Sequence, residues 1–182
     1  MFMRKMLPLR TAFMLILISW VTSLNADAQA MDHPDEPLGQ KLFVSGEDGY
    51  HTYRIPAIAV TTRGTVLAVC EGRKNSRSDS EDIDLLYKRS TDHGKTWSEQ
   101  QVIWDDRDNT CGNPCLVVDR ETGFIWLLST WNNGSDRESE IIDQTSSDTR
   151  RIFVLNSTDD GLSWSKPKEI TAYVKRPDGD PL

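Results

Sequence analysis

The sequence predicts an all-β protein built from propeller blades, and three observations carry that reading. A turn of the form S-x-D-x-G-x-[T/S]-W occurs twice, once with Ser90, Asp92, Gly94, Thr96 and Trp97 and again with Ser157, Asp159, Gly161, Ser163 and Trp164. Around each turn, four short apolar or β-branched stretches follow one another in the same order, separated by turn residues. No helical period of apolar residues competes with this pattern.

In the first copy, residues 57–60 are a short apolar run and Thr62-Arg63-Gly64 is a turn. Residues 65–71 form a β-branched strand, 72–82 a polar loop, and 83–89 a strand in which Ile83, Leu85 and Tyr87 alternate. Asp92-His93-Gly94 then turns the chain into 96–104. The second copy repeats this with 115–119, a turn at Glu121-Thr122-Gly123, 124–130, a longer polar loop at 132–149, 151–156, a turn at Asp159-Asp160-Gly161, and 163–170. Pro56 aligns with Pro114, Gly64 with Gly123, Asp92 with Asp159 and Trp97 with Trp164. The blades therefore span about 54–104 and 113–170. Residues 137–142 hold helix formers, but the run is short, charged and uncapped, and is read as loop. A blade cannot bury its faces alone, and a propeller closes with about four to eight blades. The chain, which stops in the turn residues Pro177-Asp178-Gly179-Asp180-Pro181-Leu182, is accordingly expected to be truncated.

The first thirty residues read as a secretory signal, with Arg4, Lys5 and Arg10 preceding an apolar run and Ala28-Gln29-Ala30 as the cleavage site. A secreted or periplasmic location is expected, with no membrane span after cleavage. Residues 31–41 read as a linker and 42–182 as a partial propeller domain. Cleavage removes three basic residues and Asp27, so the net charge falls from −7 to −9. Such a balance argues against nucleic acid, whose phosphates need clustered Lys and Arg. It also requires that an acidic ligand be held by a few well-placed arginines.

Cys70, Cys111 and Cys115 are too few for a disulfide framework. Cys70 reads as a buried thiol, and Cys111 and Cys115 could pair if a turn brought them together, although Pro114 stiffens that turn. His33, His51 and His93 are scattered without partner spacing, so neither a metal nor another cofactor is expected. The two S-x-D-x-G-x-[T/S]-W turns are structural, their aspartates bonding to backbone within their own turns.

Arg54 carries the sharper expectation. Pro56 fixes its own φ and biases Ile55 toward extended geometry, placing Arg54 just before the first strand, at the mouth of a propeller, where a guanidinium can grip a carboxylate. Asn113-Pro114 holds the equivalent place in the second copy. In the charged loop after Glu71, Lys74, Arg77 and Glu81 read as solvated, whereas Arg73 and Asp79 are candidates for sugar chemistry, which needs a proton donor on an arm above the ring.

With Tyr53-Arg54-Ile55-Pro56 and the two turns, which match the Asp-box repeat, the chain resembles the secreted microbial exo-α-sialidases, a family of six-bladed propellers. The resemblance runs over about 42–170 and covers roughly the first third of such a domain. It implies that Arg54 is one of three arginines clamping the sialic acid carboxylate, that Arg73 contacts the sugar ring, and that the acid/base is an aspartate in the following loop. Asp79 is the first candidate, Asp82 the second and Asp84 the third. It also implies sialylated glycoproteins, glycolipids and oligosaccharides as substrates. The family's nucleophilic tyrosine, its glutamate partner and the other two clamp arginines are expected beyond Leu182, so the chain alone is expected to be inactive. The alternative reading is a non-catalytic propeller fragment or glycan-binding module.

Overall fold

The computed structural model describes residues 39–175; the expected leader and its cut after Ala30, and the turn-rich end at 177–182, lie outside the described residues. Ten elements follow in order. These are β1 (Thr52–Val60), β2 (Val66–Arg73), β3 (Ile83–Ser90), β4 (Gln101–Trp104), β5 (Thr110–Val118), β6 (Ile125–Asn132), α1 (Glu138–Ile142), β7 (Arg151–Ser157), β8 (Lys168–Glu169) and α2 (Thr171–Val174). Strands β1 to β4 pair antiparallel in sequence order, as do β5 to β8. A single parallel pair, Ile83 with Thr110, joins the two groups. This is the architecture of two adjacent four-stranded propeller blades; the ring is not closed by them.

The innermost strand of each blade carries the same irregularity. In β1, Arg54 pairs with Glu71 and Ala57 with Val69, so Ile55 and Pro56 together face only Cys70. In β5, Gly112 pairs with Thr130 and Cys115 with Leu128, leaving Asn113 and Pro114 opposite Ser129. Two residues against one is a β-bulge, and proline suits it because it has no N–H to give the ladder. Two expectations are corrected here. Arg54 lies within β1 rather than ahead of it, and Ile55 is not extended but left-handed, at φ 51°, matched by Asn113 at φ 53°. The bulge, not the proline's local bias, decides the conformation.

The two tryptophan-bearing hairpins superpose bond for bond. Ser90 Oγ donates to Asp92 Oδ1 (2.8 Å) and accepts the Gly94 N–H (2.8 Å), while Thr96 donates its N–H and hydroxyl to Asp92 (2.9 and 2.6 Å). Ser157, Asp159, Gly161 and Ser163 repeat this at 2.8, 2.9, 2.9 and 2.5 Å. Their surroundings differ. The second hairpin rests on the first blade: Thr65 donates its hydroxyl to Asp160 (2.5 Å), Arg89 donates to the Asp160 carbonyl (3.0 Å from Nη2), and the Tyr87 hydroxyl, which donates to Gln101 (2.6 Å), lies 3.3 Å from the Leu162 carbonyl. Gly161, at φ 76°, is packed so closely on Leu67 that a Cβ would fall 2.9 Å from its side chain. Trp164 meets Tyr87 edge-on at 6.2 Å, whereas Trp97 returns its indole N–H to the Gly94 carbonyl of its own hairpin (3.1 Å).

Leu85, Trp104, Cys111, Leu127 and Leu155 form the core between the blades, with Phe153 and Trp164 against it. Each such leucine contributes about 1.5–3 kcal/mol by leaving water. On the other side of the first blade, Phe43, Tyr50 and Tyr53 cover Cys70 and Leu86. Residues 137–142, read as loop, contain α1. Its cap was illegible because the Glu140 carboxylate, not a residue at the cap position, accepts the Arg137 N–H (2.7 Å).

Candidate active site

The candidate residues converge where the two bulges meet the ends of β2 and β6. Alternation along β2 puts Glu71 and Arg73 on one face, and both are buried. A buried charge must be paired and hydrogen-bonded to be tolerated. Glu71 Oε2 accepts from Arg73 Nε (3.2 Å) and Nη2 (2.7 Å), while Oε1 accepts the Asn113 N–H (2.9 Å). One carboxylate thus ties the end of β2 to the bulge of β5. Gly112 admits this approach, since a Cβ there would lie 2.7 Å from Glu71 Oε1.

Arg73 uses its remaining donors on the loop that follows. Its Nη1 donates to the carbonyls of Arg77 and Ser78, each at 2.7 Å, and Nη2 lies 2.7 Å from Asp79 Oδ1. Arg54 Nη1 donates to the same Asp79 oxygen at 3.0 Å. Three of the residues singled out in the sequence, Arg54, Arg73 and Asp79, therefore meet at one carboxylate oxygen. Their exposure differs: the Arg73 side chain is 4% accessible, Arg54 47% and Asp79 63%. Arg73 is mainly a buried strut that sets the loop, and Arg54 and Asp79 face outward.

Asn113 reaches the same place from the second blade, its Nδ2 donating to Thr130 Oγ1 at 2.8 Å. A cavity of about 190 Å³ is lined by Arg73, Asp79, Asn113, Asn132, Glu138 and Arg150, among others. Glu138 and Arg150 form an ion pair (3.0 Å) along its far wall.

The three candidate aspartates separate clearly. Asp84 is 1% exposed and accepts from Tyr50 Oη at 2.6 Å; burial pushes its carboxyl up, partly offset by hydrogen bonds from Tyr50 and Lys74. Lys74 Nζ lies 3.2 Å from Asp82, 3.1 Å from Asp84 and 3.5 Å from Asp105. Burial pulls the Lys74 ammonium down, but its bonds to Asp84 and Asp82 outweigh this and hold it above the ordinary lysine value. Lys74 is thus not the solvated residue the sequence suggested. Asp82 and Asp84 are committed to it, and Asp79 alone of the three reaches the arginines.

Glu71, Lys74, Tyr50 and the Glu138–Arg150 pair were missed in the sequence. Glu71 could have been found from its spacing: a glutamate two residues before an arginine at the end of an apolar strand shares its face and needs a partner. Cys111 is buried and Cys115 exposed, and both are free thiols, so the pairing left open is not formed. Cys70 is buried as read, and burial pushes its thiol up to about 12.

Residues 64–177 match the family model described as a BNR repeat-like domain, more than half of the chain. The chain belongs to this family. Among curated relatives of this BNR repeat protein, the exo-alpha-sialidase of Aspergillus fumigatus is 33% identical over 186 residues, covering 90% of this chain and 45% of that protein. The sialidase of Bacteroides fragilis is 33% identical over 146 residues, 73% of this chain and 27% of its own. Among solved structures, the Hadza microbial sialidase Hz136 aligns with a TM-score of 0.66 at 32% identity, over 73% of this chain and 29% of its own. The two blades are those of a sialidase-like β-propeller, and the chain spans less than half the length of these relatives.

Proposed function

We propose that these blades supply the carboxylate grip and the proton donor of an exo-α-sialidase, a glycoside hydrolase acting on the terminal sialic acids of glycoproteins, glycolipids and oligosaccharides. The observation that carries this is the meeting of Arg54, Arg73 and Asp79 at one exposed carboxylate. The sialidase relatives support the substrate class.

Arg54 is the group exposed enough to take a sugar carboxylate, being half-exposed and planar, with donors that match two oxygens at once. An arriving carboxylate competes with Asp79 for that guanidinium and so turns Asp79 toward the glycosidic oxygen. Asp79, freed from Arg54 and protonated from solvent, then donates that proton to the oxygen as the bond to the anomeric carbon breaks. Arg73 sets the distance between grip and acid, because it holds both Asp79 and the two carbonyls before it. The electron-deficient anomeric carbon is captured by a nucleophile, which the sialidase resemblance assigns to a tyrosine of the later blades. Without those blades the two described here are proposed to turn over little substrate. The leader is proposed to export the protein, with cleavage after Ala30; among the described residues no helix is long and apolar enough to cross a membrane.

Titration of the protein with N-acetylneuraminic acid tests the grip. Arg54→Lys, which keeps the charge and loses the planar fork, should weaken binding by about tenfold, the effect of one charge-assisted hydrogen bond. Unchanged affinity in Arg54→Lys and Arg54→Ala would remove Arg54 from the site.

A further inference from the structure

The loop bearing Asp79 faces two cavities. Arg73 pins the carbonyls of Arg77 and Ser78, which fixes the backbone between them and sends the neighbouring side chains in different directions. Asp79 turns to Arg54 and Arg73. Arg77 is exposed and, among the described residues, pairs with no carboxylate. It lines a second cavity, of about 420 Å³, together with Ser45, Thr52, Tyr53 and Arg54. Arg54 is thus the partition, with its guanidinium on Asp79 and its side chain walling the second space. That space offers the unpaired Arg77 guanidinium, the Ser45 hydroxyl, the Thr52 hydroxyl already bonded to His51 Nδ1 (2.7 Å) and an aromatic ring whose own hydroxyl is engaged with the Glu47 carbonyl (2.9 Å). In a chain of net charge −7, unpaired cationic density at one cavity is a local attraction for anions against the general field.

We propose that this second cavity is a leaving-group subsite for a sugar bearing an acidic group, with Arg77 gripping the carboxylate or sulfate. The proposal rests on the reading of Asp79 as proton donor. The glycosidic oxygen must then sit within about 2.6–3.2 Å of Asp79. One sugar occupies the cavity lined by Arg73, Asn113 and Glu138, and the other departs from the opposite side of Asp79, across Arg54, into the space that holds Arg77. A neutral leaving group can use the Ser45 hydroxyl and accept a hydrogen bond from Arg77 on a neutral oxygen; only an acidic one forms the stronger charge-assisted pair with Arg77. The subsite therefore selects oligomers of acidic sugars, or sulfated glycans, over their neutral counterparts.

Isothermal titration of the full-length protein with N-acetylneuraminic acid, with an uncleavable sulfur-linked disialoside, and with sulfated against plain galactose separates the possibilities. The disialoside should bind about tenfold more tightly than the monosaccharide, as one added charge-assisted hydrogen-bonded pair allows. Arg77→Ala should abolish that gain while leaving monosaccharide affinity intact, and Arg77→Lys should restore part of it. Equal affinity for the monosaccharide and the disialoside together with no preference for sulfated over plain galactose, or a proportional loss for both sialosides in Arg77→Ala, overturns the subsite while the proposed function stands. Arg77-dependent binding of sulfated galactose by a protein that ignores the monosaccharide supports the subsite and sinks the proposed function. A gain confined to the sulfated sugar or to the disialoside identifies which acid the cavity reads.

Discussion

Glu71 is the residue on which the geometry of the site depends. It is buried with Arg73, and its second oxygen reaches across to the Asn113 N–H of the other blade. Removing one member of a buried pair costs more than the pair is worth, because the survivor is left charged and unsolvated. Glu71→Ala is therefore expected to lower stability in chemical denaturation by about 3–5 kcal/mol, with Glu71→Gln losing less because it can still accept from Asn113. A loss below about 1 kcal/mol, typical of an exposed pair, would mean that Arg73 finds another partner. Lys74 acts one residue beyond Arg73. Lys74→Met is expected to loosen the loop that carries Asp79, since it leaves Asp82, Asp84 and Asp105 facing one another, and amide hydrogen exchange across 75–82 should rise above that of the parent. Exchange confined to its parental rate would show that the backbone bond from the Lys74 N–H to the Asp82 carbonyl (3.1 Å) suffices. Arg54 and Asp79 could be singled out in the sequence because Tyr53-Arg54-Ile55-Pro56 and an acidic loop after a strand are local patterns. Glu71 and Lys74 were not, because their importance lies in partners as far away as Asn113 and Asp105.

At the scale of the element, the hairpins were the most legible parts. Their chemistry is contained in eight consecutive residues, and the two copies check each other. What escaped the sequence was the conformation of Ile55 and Asn113, set by a two-against-one pairing that only the register of the neighbouring strand defines. Asp159 gives the hairpin a pH signature. Hydrogen bonds from the Ser163 hydroxyl and N–H hold its carboxyl at about 2, below its ordinary value, and Asp92 is lowered in the same way by Thr96. A depressed carboxyl stabilises the fold above the unfolded-state value near 4 and loses that contribution as pH falls toward 2. Stability of the parent should decline over that interval, and Asp159→Asn should decline less steeply. Parallel curves for the two proteins would place the acid sensitivity elsewhere.

For the molecule as a whole, the second hairpin is the latch between blades. Asp160 meets Thr65 and Arg89, and Gly161 seats on Leu67. Gly161→Ala should be destabilising on two counts, since a residue with a Cβ is strained at φ 76° and the new methyl enters Leu67. Gly94→Ala, with the same φ sign but only a 3.8 Å contact to its own Trp97, should cost less. Equal losses in thermal melts would show that backbone strain alone matters and that the latch does not. The blade order and the propeller class were readable from the repeat, while the inter-blade latch was not, because Asp160 and Leu162 occupy variable positions of the turn that His93 and Lys95 fill in the first copy. Beside the bulges, where Glu71 accepts the Asn113 N–H of the second blade, Asp79 stands between Arg54 and Arg73. The most direct measurement of its proposed role compares a sialidase domain that contains these blades with its Asp79→Ala variant on two substrates. An activated aryl sialoside, whose leaving group barely needs a proton, should lose little rate, while a natural sialyl-galactoside should lose about a hundredfold or more. Equal losses on the two substrates would contradict the assignment of Asp79 as the acid.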